Sequence, residues 1–325
     1  GVESMTGCRT AMRIAMVAAA ALLAVAASQA QQHPVATSPA ALVHRGIQLV
    51  GTGQCSQALP ILEHNLALVT DKALCTEGQM AAVRCAMAVG EERVAADYLF
   101  QLQQESPGNP EILFVQTHLF SEMAMRAARE LQAKDPGSYQ AQRLQAESLE
   151  SQGKNEQAAS LYREILKNYP NIPGIHYHLG QIDLAEAGDA GSTDAAQQEF
   201  EKELAVDPTN ASAAYILGEL ARRKSDWSRA VDYFKRATHL DVGFSEAYLA
   251  LGMSLAGEEK FAEAKPVLER YVKLEPNDPA GHYQLAVAYA RTGNQAGAQR
   301  EMALQAQAAA RNKATDTTQG HAVQP

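Results

Sequence analysis

The tripeptide His176-Tyr177-His178 sets two imidazoles, side chains suited to metal binding, two residues apart. On a helix, residues two apart point about 200° apart, so the two imidazoles cannot hold one ion between them. The four cysteines, Cys8, Cys55, Cys75 and Cys85, follow no zinc-ligand spacing. Gly51-Thr52-Gly53 lacks the lysine and the preceding strand that a phosphate loop needs. The 325 residues contain no Gly-x-Ser-x-Gly elbow and no His-Glu-x-x-His pair. Met123 and Met125 read as core filler, and His176 as a packing residue. These residues point to no catalytic centre, no metal and no cofactor.

The elements that carry them repeat. Leu217-Gly218, Ala230, Phe234 and Ala237 are followed 34 residues later by Leu251-Gly252, Ala264, Leu268 and Tyr271. A further 34 residues on stand Leu285-Ala286, Ala298 and Met302. Within each period, apolar residues at helical spacing form two runs separated by a glycine-containing break, as in Tyr248, Leu251 and Leu255, then Phe261, Ala264, Leu268 and Tyr271. Small residues at the eighth and twentieth positions let the paired helices approach. Pro208 and Pro276 close their units, because a residue without an N–H ends the second helix. One hairpin cannot bury its apolar face alone, so neighbours must stack.

These residues resemble the tetratricopeptide repeat family, whose pattern is W-x2-L-G-x2-Y, then A-x3-F, then P. The resemblance implies an all-α fold, a right-handed superhelical solenoid of about eight helix-turn-helix units: 39–72, 76–108, 109–138, 139–172, 173–210, 211–244, 245–278 and 279–312. Unit 109–138 lacks the glycine turn, so its hairpin is expected to be tight or irregular. Unit 173–210 carries about four extra residues in AGDAGSTDA, read as a surface-loop insertion. Pro60 and Pro266 fall at the twenty-second position, within about one turn of the second helix's start, where the cost is small.

In proteins that look like this, positions two, five, nine, twelve and thirteen of each first helix line a concave groove. Carried over, the fifth positions are Tyr177, Tyr215, Leu249 and Tyr283, and the ninth are Gln181, Glu219, Met253 and Val287. Arg222 and Arg223 take the twelfth and thirteenth positions of their unit, and Arg291 the thirteenth of the last. Tyrosine and arginine often dominate binding energy, so this face is expected to hold an extended or helical segment of another protein. The competing reading leaves the tyrosines as lids on the open side of the stack. Family members that clamp a carboxylate use Lys at the fifth and Asn at the ninth position, which this half of the chain lacks.

The cysteines can now be placed. Cys75 and Cys85 lie ten residues apart on one predicted helix, about 15 Å along it and too far to bridge. Cys55 starts the second helix of the first unit, and Cys85 lies near the end of the next helix. Antiparallel packing brings those two together. A Cys55–Cys85 bridge and three small buried hydrophobes are the two readings.

At the other scale, Arg9 and Arg13, the apolar run Ile14–Ala27 and Ser28-Gln29-Ala30 read as a secretory signal over residues 1–30, with translation starting at Met5 or Met12. The alternative is an uncleaved leader acting as an inner-membrane anchor. Residues 31–38 read as a linker and 313–325 as a disordered tail. The formal charge of −9 becomes −10 without Glu3, Arg9 and Arg13, which disfavours nucleic acid and anionic membrane as partners. The expectation is an exported, periplasmic, non-enzymatic scaffold that binds a protein or peptide in the bacterial cell envelope. Self-assembly, or a regulatory role beside an envelope enzyme or secretion complex, is the alternative.

Overall fold

A computed structural model describes residues 38–186 and 190–320; the leader, most of the linker, three residues of the insertion and the last five of the tail lie outside it. Every element among the described residues is an α-helix, and the chain divides into two compact units after Lys134. No helix among them is long and apolar enough to cross a membrane.

The first unit holds α1 (Pro39–Gly51) paired with α2 (Cys55–Leu66), α3 (Lys72–Val89) paired with α4 (Glu92–Glu105), and α5 (Pro110–Lys134). Ser38 caps α1 by accepting from the Ala41 N–H, and Pro39 stands where no N–H is needed. Asp71 caps α3 through the Leu74 N–H, so this helix starts a turn ahead of residue 76. A Cβ at Gly46 would lie 2.7 Å from Leu62 Cδ2, so glycine there sets how closely α1 and α2 approach. Leu62, Leu66, Val83, Leu99 and Leu102 are buried in the core of this unit. Cys55 and Cys85 form a disulfide with their Cα atoms 4.8 Å apart, joining the start of α2 to α3, while Cys75 is buried and outside the bridge.

The short hairpin expected over 109–138 is not there. α5 runs unbroken for 25 residues. Phe120 to Arg126 offers no Gly, Pro or Asn that could open a left-handed turn, and a helix without a stop signal continues. Only Ile112 and Leu119 of α5 are buried, leaving Leu113, Phe114, Phe120 and Met125 exposed.

The second unit is five hairpins: α6 (Tyr139–Ser151) with α7 (Asn155–Asn168), α8 (Ile175–Ala185) with α9 (Ala190–Val206), α10 (Ala211–Arg223) with α11 (Trp227–Leu240), α12 (Ser245–Gly257) with α13 (Phe261–Leu274), and α14 (Pro279–Arg291) with α15 (Gln295–Gly320). Each helix packs on its neighbours in sequence. Where the paired helices cross, a Cβ at Gly180, Gly218 or Gly252 would fall 2.8, 2.6 and 2.4 Å from Phe200, Phe234 and Leu268 respectively. The large residue fills the space that the glycine leaves. Part of the expected surface loop is helical, since α9 begins at Ala190.

Pro60 and Pro266 stand sixth in α2 and α13, two residues beyond Ala58 and Ala264, whose N–H groups already bond back to Gln54 and Lys260. Each therefore forgoes one ladder bond, to the carbonyls of Ser56 and Ala262, and the helices run on. The tail reading is also corrected. α15 extends to Gly320, so residues 313–320 continue a helix already anchored by packing, through a stretch without proline.

Candidate functional site

The first helices α8, α10, α12 and α14 place the expected binding residues on one unit of the structure. On α8, Gln181 donates to the Tyr177 hydroxyl at 2.8 Å, and the Tyr177 ring meets Phe200 edge-on at 5.6 Å. On α10, Tyr215 is half-buried between Phe234 and Phe244, with ring centroids 5.6 and 4.9 Å away. Burial, then the carboxylates of Glu219 and Glu246, push the Tyr215 hydroxyl up, and only Arg222 opposes them. Leu249 and Met253 are half-buried on α12, whereas Tyr283 on α14 is 47% exposed.

Two of the three arginines are held by neighbours. Arg222 grips Glu219 with two bonds of 3.0 and 2.7 Å, an i, i+3 pair that neutralises both. Arg291 lies over the Phe261 ring, 4.6 Å from its centroid, a cation–π contact at the start of α13. Arg223 is exposed. The geometry offers apolar and aromatic area at α12 and α14, an internal polar pair at α8 and an internal ion pair at α10.

His176 and His178 turn to different sides, as their spacing requires. His176 Nδ1 lies 2.7 Å from Glu199 Oε2. His178 stacks on the buried Tyr162 at 5.1 Å and sets Nδ1 3.0 Å from Glu150 Oε2, the oxygen that also accepts from the Tyr162 hydroxyl at 3.0 Å. Burial, followed by the Glu150 charge, pushes the Tyr162 hydroxyl far above its ordinary range. Among the described residues no three His, Cys, Asp or Glu side chains converge to hold a metal.

Two features escaped the sequence reading. Arg143, Glu147 and Glu150 occupy positions five, nine and twelve of unit 139–172, so the positional argument applied to the last four units would have found them one unit earlier. Arg143 donates to Glu147 at 2.7 Å and to the Pro173 carbonyl at 3.1 Å. The second feature is a cavity of about 340 Å3 lined by Arg163, Lys167, His176, Asp183, Glu199 and Lys202, with Leu166 and Leu179. It involves α7, α8 and α9, and no positional rule pointed to it.

Residues 122–173 and 184–241 match one tetratricopeptide repeat model, and residues 245–288 match a second. The chain belongs to the tetratricopeptide repeat family. Among curated relatives, the repeats are 30% identical over 118 residues to Protein CTR9 homolog of Arabidopsis thaliana, covering 35% of this chain and 10% of that protein. They are 29% identical over 99 residues to the probable biofilm formation methyltransferase WspC of Pseudomonas putida, covering 29% of this chain and 23% of that one. The chain thus spans less than a quarter of these relatives. Among solved structures, MamA aligns with a TM-score of 0.46 at 21% identity, over 52% of this chain and 96% of MamA. YrrB, a tetratricopeptide repeat protein with an unusual peptide-binding site, aligns at 0.48 and 22%, over 56% and 92%.

Proposed function

We propose that this chain is a non-enzymatic scaffold of the bacterial cell envelope, exported to the periplasm, that holds a segment of a partner protein against α8, α10, α12 and α14. The observation that carries this reading is the row Tyr177, Tyr215, Leu249, Met253 and Tyr283, half-buried or exposed on four successive first helices. Apolar and aromatic side chains held rigidly on helices lose little freedom on binding and supply most of an interface's energy. The family supports it too, since tetratricopeptide repeats serve protein and peptide binding. Export draws support from the Cys55–Cys85 bridge, because disulfides persist in oxidising compartments.

The test is affinity capture from cross-linked cell envelopes, comparing the intact chain with a Met253→Gln, Tyr283→Ala variant whose helicity is checked by circular dichroism. Partner proteins held by the intact chain are expected to be lost by the folded variant. Equal capture by both removes this face from the proposal.

Self-association is the second reading, favoured by the exposed Leu113, Phe114, Phe120 and Met125 of α5. Sedimentation across a concentration series decides it, because a mass that does not change with concentration excludes it.

A further inference from the structure

Ionic side chains in the second unit are mostly matched. Glu203 is fully buried and accepts from the N–H groups of Gly174 and Tyr177 and from Asn210. Glu301 pairs with His282 and Arg300, and Glu219 with Arg222. The cavity between α7, α8 and α9 brings several ionic side chains together. Of its ionic lining, Glu199 is satisfied by His176 and Lys202, each at 2.7 Å. Asp183 feels the Arg163 and Lys202 charges only through space, and Arg163 and Lys167, both exposed, make no hydrogen bond or ion pair among the described residues.

The unmatched charges sit on different helices. Asp183 belongs to α8, where the Glu199 carboxylate adds to its negative potential. Arg163 and Lys167 lie four residues apart on α7, a spacing that puts both on one helical face. A simple anion would satisfy α7 and be repelled by Asp183. A simple cation would meet the reverse. A ligand bearing both charges satisfies all three groups, and about 340 Å3 is at the lower end of small-ligand pockets.

We propose that this cavity binds an ammonium–carboxylate dipole, with the ammonium on Asp183 and the carboxylate on Arg163 and Lys167. The source is either a free amino acid or dipeptide, or an acid–base side-chain pair on a partner's surface. The site lies between second helices and α8, and none of the eleven groove positions lines it. Burial, then the Glu199 charge, hold the Asp183 carboxyl above its ordinary value and outweigh the opposing charges of Arg163 and Lys202.

Calorimetric titration of the full chain with L-alanyl-L-alanine, its N-acetyl form, its amide form and the blocked peptide acetyl-Lys-Glu-amide tests this. Either the free dipeptide or the blocked Lys-Glu peptide is expected to bind below about 20 mM, and the one that does names the source. Loss of either charge from that ligand is expected to weaken binding at least about tenfold, since charge-assisted hydrogen bonds are lost. Asp183→Asn should remove the preference for an ammonium, and Arg163→Gln with Lys167→Gln the preference for a carboxylate. No binding of either probe overturns the proposal, as does binding that ignores the caps or the Asp183→Asn substitution.

Discussion

His282 sets both ring nitrogens against acceptors, Nδ1 at 2.8 Å from Glu301 Oε2 and Nε2 at 3.1 Å from the Pro276 carbonyl, with both side chains only 6% exposed. Removing His282 leaves the buried Glu301 carboxylate only the exposed Arg300 as a partner, so His282→Leu is expected to cost about 2–3 kcal/mol in urea unfolding. Replacing both residues with leucine should recover most of that, because an apolar pair has no desolvation penalty to repay. Two carboxylates of the α7–α9 cavity work in opposite directions. Burial pushes Glu199 up, but the hydrogen bonds from His176 and Lys202 outweigh it and hold its carboxyl below the ordinary 4.5. Its stabilisation is therefore full above the unfolded value and is lost as pH falls through the depressed folded value. Asp183 is raised above its ordinary 3.8 by burial and then by Glu199, so its ionisation destabilises the fold once pH has risen through the folded value. Thermal unfolding at neutral pH should show Asp183→Asn more stable and Glu199→Gln less stable than the parent. Both differences should fade in acid once the carboxylates are protonated, and like signs for the two substitutions would refute this account.

Hairpins are built from turns and crossings, and one turn position carries strain. Residue fifteen of the repeat is left-handed in Gly153 and Gly293, with φ of 73° and 84°, but Ser225 and Glu259 occupy the same place at 58° and 60°. A side chain there costs about 1–2 kcal/mol, part of which glycine returns through unfolded-state entropy. Ser225→Gly and Glu259→Gly are each expected to add about 0.5–1 kcal/mol of stability, measured by urea midpoint. At the crossings the sign reverses. Gly218→Ala pushes a methyl into the buried Phe234 ring and should cost about 1–3 kcal/mol. Such hairpins were legible because the small–large pairs, Gly218 with Phe234 and Gly252 with Leu268, recur at a fixed distance in the chain. α5 was not, because a missing turn looks the same in sequence as a degenerate one. The positions of Arg222 and Glu219 were legible, but the bond between them cancels the free charge that composition alone suggested. Cavity chemistry at Arg163 and Asp183 was illegible for another reason. It depends on contacts among three helices that no single period encodes.

A molecule stacked from repeats feels a cross-link locally, since each hairpin touches only its neighbours. The Cys55–Cys85 bridge closes a loop of sequence separation 30 within the first unit, and the second unit contains no cysteine. Loop-closure entropy puts its contribution at about 3–4 kcal/mol at 25 °C. Reductant should therefore act on part of the chain. Hydrogen exchange read by mass spectrometry is expected to show lost protection in α1 to α4 after reduction, with α10 to α14 unchanged. Loss spread evenly along the chain would mean that the units unfold together, and no loss would mean that helix packing alone holds the first unit. Localised loss would tie the fold to its compartment, because in a reducing environment the first unit would give up stability that the second never drew on.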